Sequence, residues 1–180
     1  LQLKLTEEEF CKLPRNAAYK YTYFEESAWL TPRPRYYHAW LDLLALPIEH
    51  PASVSLRSLH PDDWEALEQL FADAFAGQLP FSGLSDAERV EAARQCLLQT
   101  REDGDGPFIE QASFVVVSPA GQLLGAILIT LVPLTDPVEW GAYMWLDPPP
   151  PNAIEEQLGR PHLTWIFVHP SSVGKGVGTA

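Results

Sequence analysis

The order of sequence elements predicts an α/β fold. Two observations carry the expectation: strand-like and helix-like patterns run strand, helix, helix, strand, strand, strand from residue 52 onward, and the last strand leads into a turn with glycine at alternate positions. Leu163 to Val168 is apolar, aromatic and β-branched with little polar alternation, which reads as a strand buried on both faces in the middle of a sheet. His169-Pro170 stops it, since proline has no N–H for the ladder. Gly174, Gly176 and Gly178 then allow left-handed or tightly curved backbone that turns successive N–H groups toward one point. If a helix starts there, its unpaired first-turn donors add to an anion cradle.

Length and composition set the outer limits. The chain has 180 residues, 46% of them hydrophobic, enough for one domain with a sizeable core and an extension. A formal net charge of −12 argues against general binding to nucleic acid or to anionic membranes. Cys11 and Cys96 lie in different segments and read as free thiols in a reducing compartment, which places the protein in the cytoplasm. No run is long enough for a membrane span and no signal-peptide pattern opens the chain. It begins at Leu1 and stops two residues after Gly178, so both ends are expected to be cut.

Residues 1–50 read as a separate N-terminal extension, and residues 51–180 as the main domain. Thr6-Glu7-Glu8-Glu9 is a capping box for a short helix that Pro14 ends. Tyr19, Tyr21 and Tyr23 would give one strand face an aromatic character, and Tyr37, Trp40, Leu41 and Leu44 have helical spacing. In the main domain, Val54 and Leu56 are expected inward and Ser55 and Arg57 outward on a first strand. Pro61 suits the first helical position, with Asp62 and Asp63 favoured by the helix dipole. Trp64, Leu67, Leu70, Phe71 and Phe75 form one apolar stripe. Ser85-Asp86-Ala87-Glu88 caps a second helix that turns Val90, Ala93, Cys96 and Leu97 inward. Asp103-Gly104-Asp105-Gly106 is a solvated turn without the remaining ligands of a calcium loop, so no metal site is expected. Phe114–Val117 and Leu123–Val132 form a hairpin about Pro119-Ala120-Gly121-Gln122. The proline-rich segment after Val132 holds Glu139, Trp140, Tyr143, Met144 and Trp145, with a strand expected from Ala142 to Leu146.

The glycine turn fits neither familiar phosphate loop. A Walker A loop needs glycine where His169 sits and Ser or Thr where Gly176 sits, and a dinucleotide fingerprint needs glycine at Thr179. Val168-His169-Pro170 followed by Val173-Gly174-Lys175-Gly176-Val177-Gly178 resembles the acetyl-CoA loop of the GNAT family of N-acetyltransferases. Val173 stands where that family has Arg or Gln. The resemblance covers about residues 52–180 and is specific only at this loop. It implies an acyl-CoA N-acyltransferase (GNAT) fold, a mixed sheet with helices on both faces, with the family's later C-terminal elements missing. It also implies acetyl-CoA as cosubstrate, held by the strand residues Ile166, Phe167 and Val168 and by Val173, Gly174, Lys175, Gly176, Val177, Gly178 and Thr179. The acceptor would be an amine-bearing small molecule or protein. Some members carry a glutamate base at the start of this strand, and counting back from the glycines puts His162 there. Residues 162, 164, 166 and 168 would share one strand face, with His162 roughly 23 Å from His169 at about 3.3 Å per residue. A non-catalytic acyl-CoA-binding or interaction module on the same scaffold remains the alternative.

Overall fold

The computed structural model describes residues 1–14, 19–24, 26–32, 55–134, 145 and 148–179. The expected helix around Tyr37 and Trp40 lies outside them, as do Val54, Glu139, Trp140, Tyr143 and Met144. The chain divides into two compact units, Leu1–Leu46 and Pro47–Ala180.

In the first unit, strand β1 (Gln2–Lys4), helix α1 (Glu7–Lys12), β2 (Tyr19–Phe24) and β3 (Ser27–Pro32) follow in order. The sheet order is β1-β3-β2, with antiparallel pairs. Thr6 closes the expected capping box with Glu9, whose carboxylate accepts the Thr6 N–H at 2.8 Å. Tyr19, Tyr21 and Tyr23 are half-buried while Lys20 and Thr22 are exposed, so the alternation on β2 has the expected phase.

The second unit is built on an antiparallel sheet of four described strands, β4 (Ser55–Ser58), β5 (Phe114–Val117), β6 (Leu123–Pro133) and β7 (Gly159–Val168), in that spatial order. Helices α2 (Trp64–Ala74) and α3 (Asp86–Arg101) complete the α/β architecture. Both lie on one face of the sheet. Leu67, Leu70 and Phe71 of α2 and Ala93 and Leu97 of α3 share one buried cluster with Val115, Ala126, Leu128 and Phe167. Phe71 is fully buried at its centre, with ring centroids 4.9 Å from Trp165, 5.2 Å from Phe167 and 5.5 Å from Phe81.

Three local expectations are corrected. On β4 the alternation is real but reversed: Leu56 is 44% exposed on the face away from the helices. Arg57 is on the helix side, where its two guanidinium nitrogens bond the Asp63 carboxylate, each at 2.6 Å. That carboxylate also accepts the His60 N–H at 2.7 Å, so Arg57 is drawn inward to satisfy the start of α2. Second, β7 is the edge of the described sheet, and among the described residues the helices cover only one of its faces. Trp165 and Phe167 face the helices, whereas Leu163 and Ile166 are 46% and 48% exposed on the other side. The strand also starts earlier, at Gly159, and accommodates Pro161 because an edge strand can spare one N–H. Third, β7 carries a bulge. Leu128 pairs with Trp165 and Ile129 with Leu163, leaving Thr164 as the extra residue. Residues 162, 164, 166 and 168 therefore do not share a face. Across the bulge Leu163 takes the side of Ile166, and His162 takes the side of Trp165.

Two stability predictions follow from this packing. Phe71→Ala should lower unfolding free energy by about 3–5 kcal/mol, since the surrounding rings cannot collapse into the space. Urea titration followed by tryptophan emission measures it, and a loss under about 1 kcal/mol would contradict the central role of the ring. The Arg57 bond holds the Asp63 carboxyl below its usual range, against an opposing pull from burial and aided by the His60 N–H. A depressed folded value means the pair's stabilisation is complete above the unfolded pKa of about 3.9 and is lost as pH falls through the folded value. Arg57 is partly exposed, so Asp63→Asn should cost about 1–2 kcal/mol at neutral pH. It should cost progressively less in acid; a penalty that stays constant down to about pH 2 would contradict the assignment.

Candidate functional site

Leaving β7, the chain bonds His169 N–H to the Leu124 carbonyl at 2.8 Å and enters a 3-10 turn, Pro170–Ser172. The His169 ring caps that turn, its Nδ1 accepting the Ser171 N–H at 3.2 Å, and its Nε2 lies 4.0 Å from an Asp73 carboxylate oxygen. His169 is thus committed to shaping the turn. Gly174 and Gly176 follow with φ of +76° and +79°, the left-handed region that side chains resist. These two residues reverse the curvature twice within three positions, which is how a run of backbone can form a concave nest of N–H groups. The Lys175 N–H between them bonds the Ser172 carbonyl at 3.3 Å, so that donor belongs to the turn. In place of the expected helix start, the described chain forms one 3-10 turn, Val177–Thr179.

The turn is seated on the open face of the sheet. Val177 is buried, and a Cβ added at Gly125 would come within 3.1 Å of a Val177 methyl and 3.1 Å of the Phe167 carbonyl oxygen. Gly125 therefore makes room for the loop, a role its place in a hairpin did not reveal. Beside it Leu56, Val116, Ile166 and Val168 border a shallow apolar recess of about 50 Å³. That is far below the roughly 300–1,000 Å³ of a ligand pocket, so a long cofactor would have to lie along β7 rather than inside the recess. A larger cavity of about 280 Å³ lies between α2 and α3, lined in part by Asp73, Asp86 and Arg89. The Arg89 guanidinium is already paired with Asp86, leaving carboxylates that would repel phosphate there.

The expected site residues are thus divided. Gly174, Lys175 and Gly176 are at the exposed tip of the loop, and Val173 is 69% exposed. Phe167 points into the core, so only its backbone is available to a ligand along the strand; Ile166 and Val168 project to the open side. At the other end of β7, half-buried His162 approaches Thr164 at 3.3 Å from Nδ1 to Oγ1. Thr164 is 2.8 Å from Thr130, which donates to the Asp105 carbonyl at 3.0 Å. The Asp105 side chain bonds Thr100, and Thr100 accepts the Trp165 indole N–H at 2.9 Å. This polar chain was not anticipated; its only sequence signal was a lone threonine within an apolar strand. Trp145, from the proline-rich segment, donates its indole N–H to the Leu131 carbonyl at 3.0 Å and packs with the Ile109–Leu131–Ala153 cluster. Among the described residues no group of His, Cys, Asp or Glu is arranged to hold a metal, and no helix is long and apolar enough to cross a membrane.

No family model matches the sequence, and no curated protein matches it. Solved structures do. A GNAT family acetyltransferase from Brucella melitensis, in complex with acetyl-CoA, is 20% identical, with a TM-score of 0.44 over 70% of this chain and 61% of its own. A protein from Corynebacterium glutamicum described as histone acetyltransferase HPA2 and related acetyltransferase is 19% identical, with a TM-score of 0.46 over 71% and 67%. The PaiA N-acetyltransferase of Thermoplasma acidophilum, in complex with coenzyme A, is 12% identical, with a TM-score of 0.39 over 71% and 65%. The chain thus spans 61% of the length of the first of these structures. These three solved structures are described as acetyltransferases, and they are 12–20% identical to this chain.

Proposed function

We propose that this chain is an acetyl-CoA-dependent N-acetyltransferase in which β7 and the turn after it hold the cosubstrate. The observation that carries the reading is the pair of left-handed glycines, Gly174 and Gly176, placed directly after an edge strand. An edge strand offers backbone groups to an amide-bearing arm laid beside it, as in strand addition. The left-handed glycine turn would turn backbone dipoles toward a diphosphate at the end of that arm. Micromolar affinity needs roughly 8 kcal/mol, and a single neutral hydrogen bond is worth about 0.5–1.5 kcal/mol, so neither feature suffices alone.

Acetyl-CoA supplies the reactive thioester. The chain's own contribution is to place the acceptor and take its proton. A lysine-like amine, with a pKa of about 10.4, is almost wholly protonated at neutral pH, and a base near the acceptor raises the nucleophilic fraction. His162, at the opposite end of β7 from the loop, is the candidate for that base, since imidazole ordinarily titrates near pH 6.5. In the balanced transfer the amine nitrogen bonds the acyl carbon, the carbon–sulfur bond breaks, and the amine loses a proton while the departing thiolate gains one. His169 has the wrong position for this, being held at the loop by Ser171.

Two measurements test the reading. Gly176→Asp should abolish CoA binding in calorimetry, because it forces a side chain onto a left-handed position and adds a negative charge to the glycine turn; unchanged affinity removes the loop from the site. His162→Gln should leave CoA affinity within about twofold and reduce turnover at neutral pH by roughly 10²–10⁴-fold, the usual contribution of a general base. The deficit should shrink as pH approaches the amine's pKa. Equal turnover of variant and parent near pH 7 rules His162 out as the base.

A further inference from the structure

We propose that one face of the first unit's sheet binds an extended acidic segment of a partner protein, with Trp29 at the centre and Lys4 and Lys20 at the two ends of one diagonal. None of these residues is assigned to acyl transfer, so this proposal and the acetyltransferase reading stand or fall independently.

The register of the sheet defines the face. Cross-strand partners share a side, and along each strand every second residue returns to it. Trp29 pairs with Gln2 on β1 and with Thr22 on β2; Ser27 pairs with Lys4 and Phe24; Thr31 pairs with Lys20. All of these residues therefore share one face, and the Gln2 amide donating to Ser27 Oγ at 3.2 Å agrees with that. The opposite face carries Tyr23, whose ring centroid is 5.2 Å from that of Phe10 on α1. Among the described residues α1 thus packs on the tyrosine side. On the other side Trp29 is 45% exposed and Phe24 63%.

The three contacts fall on a line. Lys4, Trp29 and Lys20 lie on successive strands in the order β1-β3-β2, each two residues further along the sheet than the last. With strands about 4.8 Å apart and about 3.3 Å per residue, each step is roughly 8 Å and the whole diagonal roughly 16 Å. An extended peptide presents every second side chain to one side, so Glu-x-Leu-x-Glu spans about 13 Å with its leucine at the midpoint. The long lysine stems take up the remainder. Charge selects the same occupant. Among the described residues Lys12 pairs with Glu8, whereas Lys4 and Lys20 have no ion pair. Carboxylates gather around the opposite face: burial raises the Tyr23 phenol above its ordinary value, and Glu26, Glu7 and Glu9 raise it further. Tryptophan supplies the large apolar contact that dominates small interfaces. Nucleic acid is the weaker occupant, since its binding rests on many phosphate contacts and this face offers two lysines on a chain of net charge −12.

The test is titration of the 180-residue chain with the peptide Gly-Glu-Thr-Leu-Thr-Glu-Gly, followed at the Trp29 indole N–H by nitrogen-edited NMR. That signal is assigned by its loss in Trp29→Phe. It should shift saturably, and affinity should fall roughly threefold or more between about 50 and 500 mM salt, since exposed charges are screened. Replacing both peptide glutamates by glutamine should weaken binding roughly twofold to twentyfold, the combined worth of two exposed pairs. Replacing the peptide leucine by serine should weaken it roughly tenfold. These changes leave the protein untouched, so unfolding cannot imitate them. On the protein side, Lys4→Gln combined with Lys20→Gln should match the glutamine peptide and remove the salt dependence. An indole unmoved by millimolar peptide, or one that responds equally to the glutamine peptide, overturns the proposal. A stronger response to single-stranded oligothymidine assigns the face to nucleic acid and overturns it too. So does an indole shift on raising the concentration of the chain alone, which assigns the face to a second copy.

Discussion

The proposed acyl transfer hangs on β7, and what holds β7 is the contact of Phe71 with Trp165 and Phe167. An edge strand has only one neighbour to fix it through the ladder; its second restraint must come from side-chain packing. Here three rings from two elements supply it, with Phe75 and Phe81 close behind. The Trp165 indole adds a directional tie, donating to Thr100 near the end of α3. Helices on one face therefore decide where the strand lies, and among the described residues no further strand pairs with its outer edge. Closing that edge with another strand would remove the surface on which the cofactor is proposed to lie.

The bulge at Thr164 divides β7 into two parts with different duties. From Trp165 to Val168 the strand keeps register with β6, turning Trp165 and Phe167 to the helices and Ile166 and Val168 outward. Before the bulge the phase flips, and His162 comes onto the side of Trp165. One inserted residue thus brings a titratable side chain and a hydroxyl into a single polar chain ending at Asp105. Bulges re-aim side chains in this way at a local cost to the ladder, and part of the ladder is recovered nearby. Ser113 Oγ accepts the Ile129 N–H at 3.0 Å beside the register shift.

Much of this was legible in the sequence. Capping boxes at Thr6 and Ser85, the apolar stripe through Phe71 and the hairpin around Gly121 express local chemistry: a side chain bonding its own backbone, a helical period, a left-handed turn. The misreadings were non-local. Leu56 and Arg57 exchanged faces because the carboxylate that draws Arg57 inward is on the next element. The apolar run Leu163–Val168 read as doubly covered because hydrophobicity cannot tell a strand facing other strands from one facing a cofactor or an open side. Pro161, lying inside the strand and not before it, was the available sign of an edge. The bulge had none, since a register shift is a property of two strands together.

The acidity of the chain raises a question about the anionic cofactor proposed here, and the magnitudes answer it. Most of the −12 is spread over surface carboxylates, and charges beyond about 8 Å are largely screened at physiological ionic strength. What a bound diphosphate would feel is local: backbone dipoles of the glycine turn, the Lys175 ammonium within it, and Asp73 across from His169. A side chain at Gly174 or Gly176 would disturb the first of these whatever its charge, because the left-handed backbone itself orients the dipoles. Distant carboxylates therefore set how quickly an anion approaches more than how firmly it is held. Binding strength should follow the geometry of three residues, Gly174, Lys175 and Gly176, and that geometry follows from seating Val177 over Gly125.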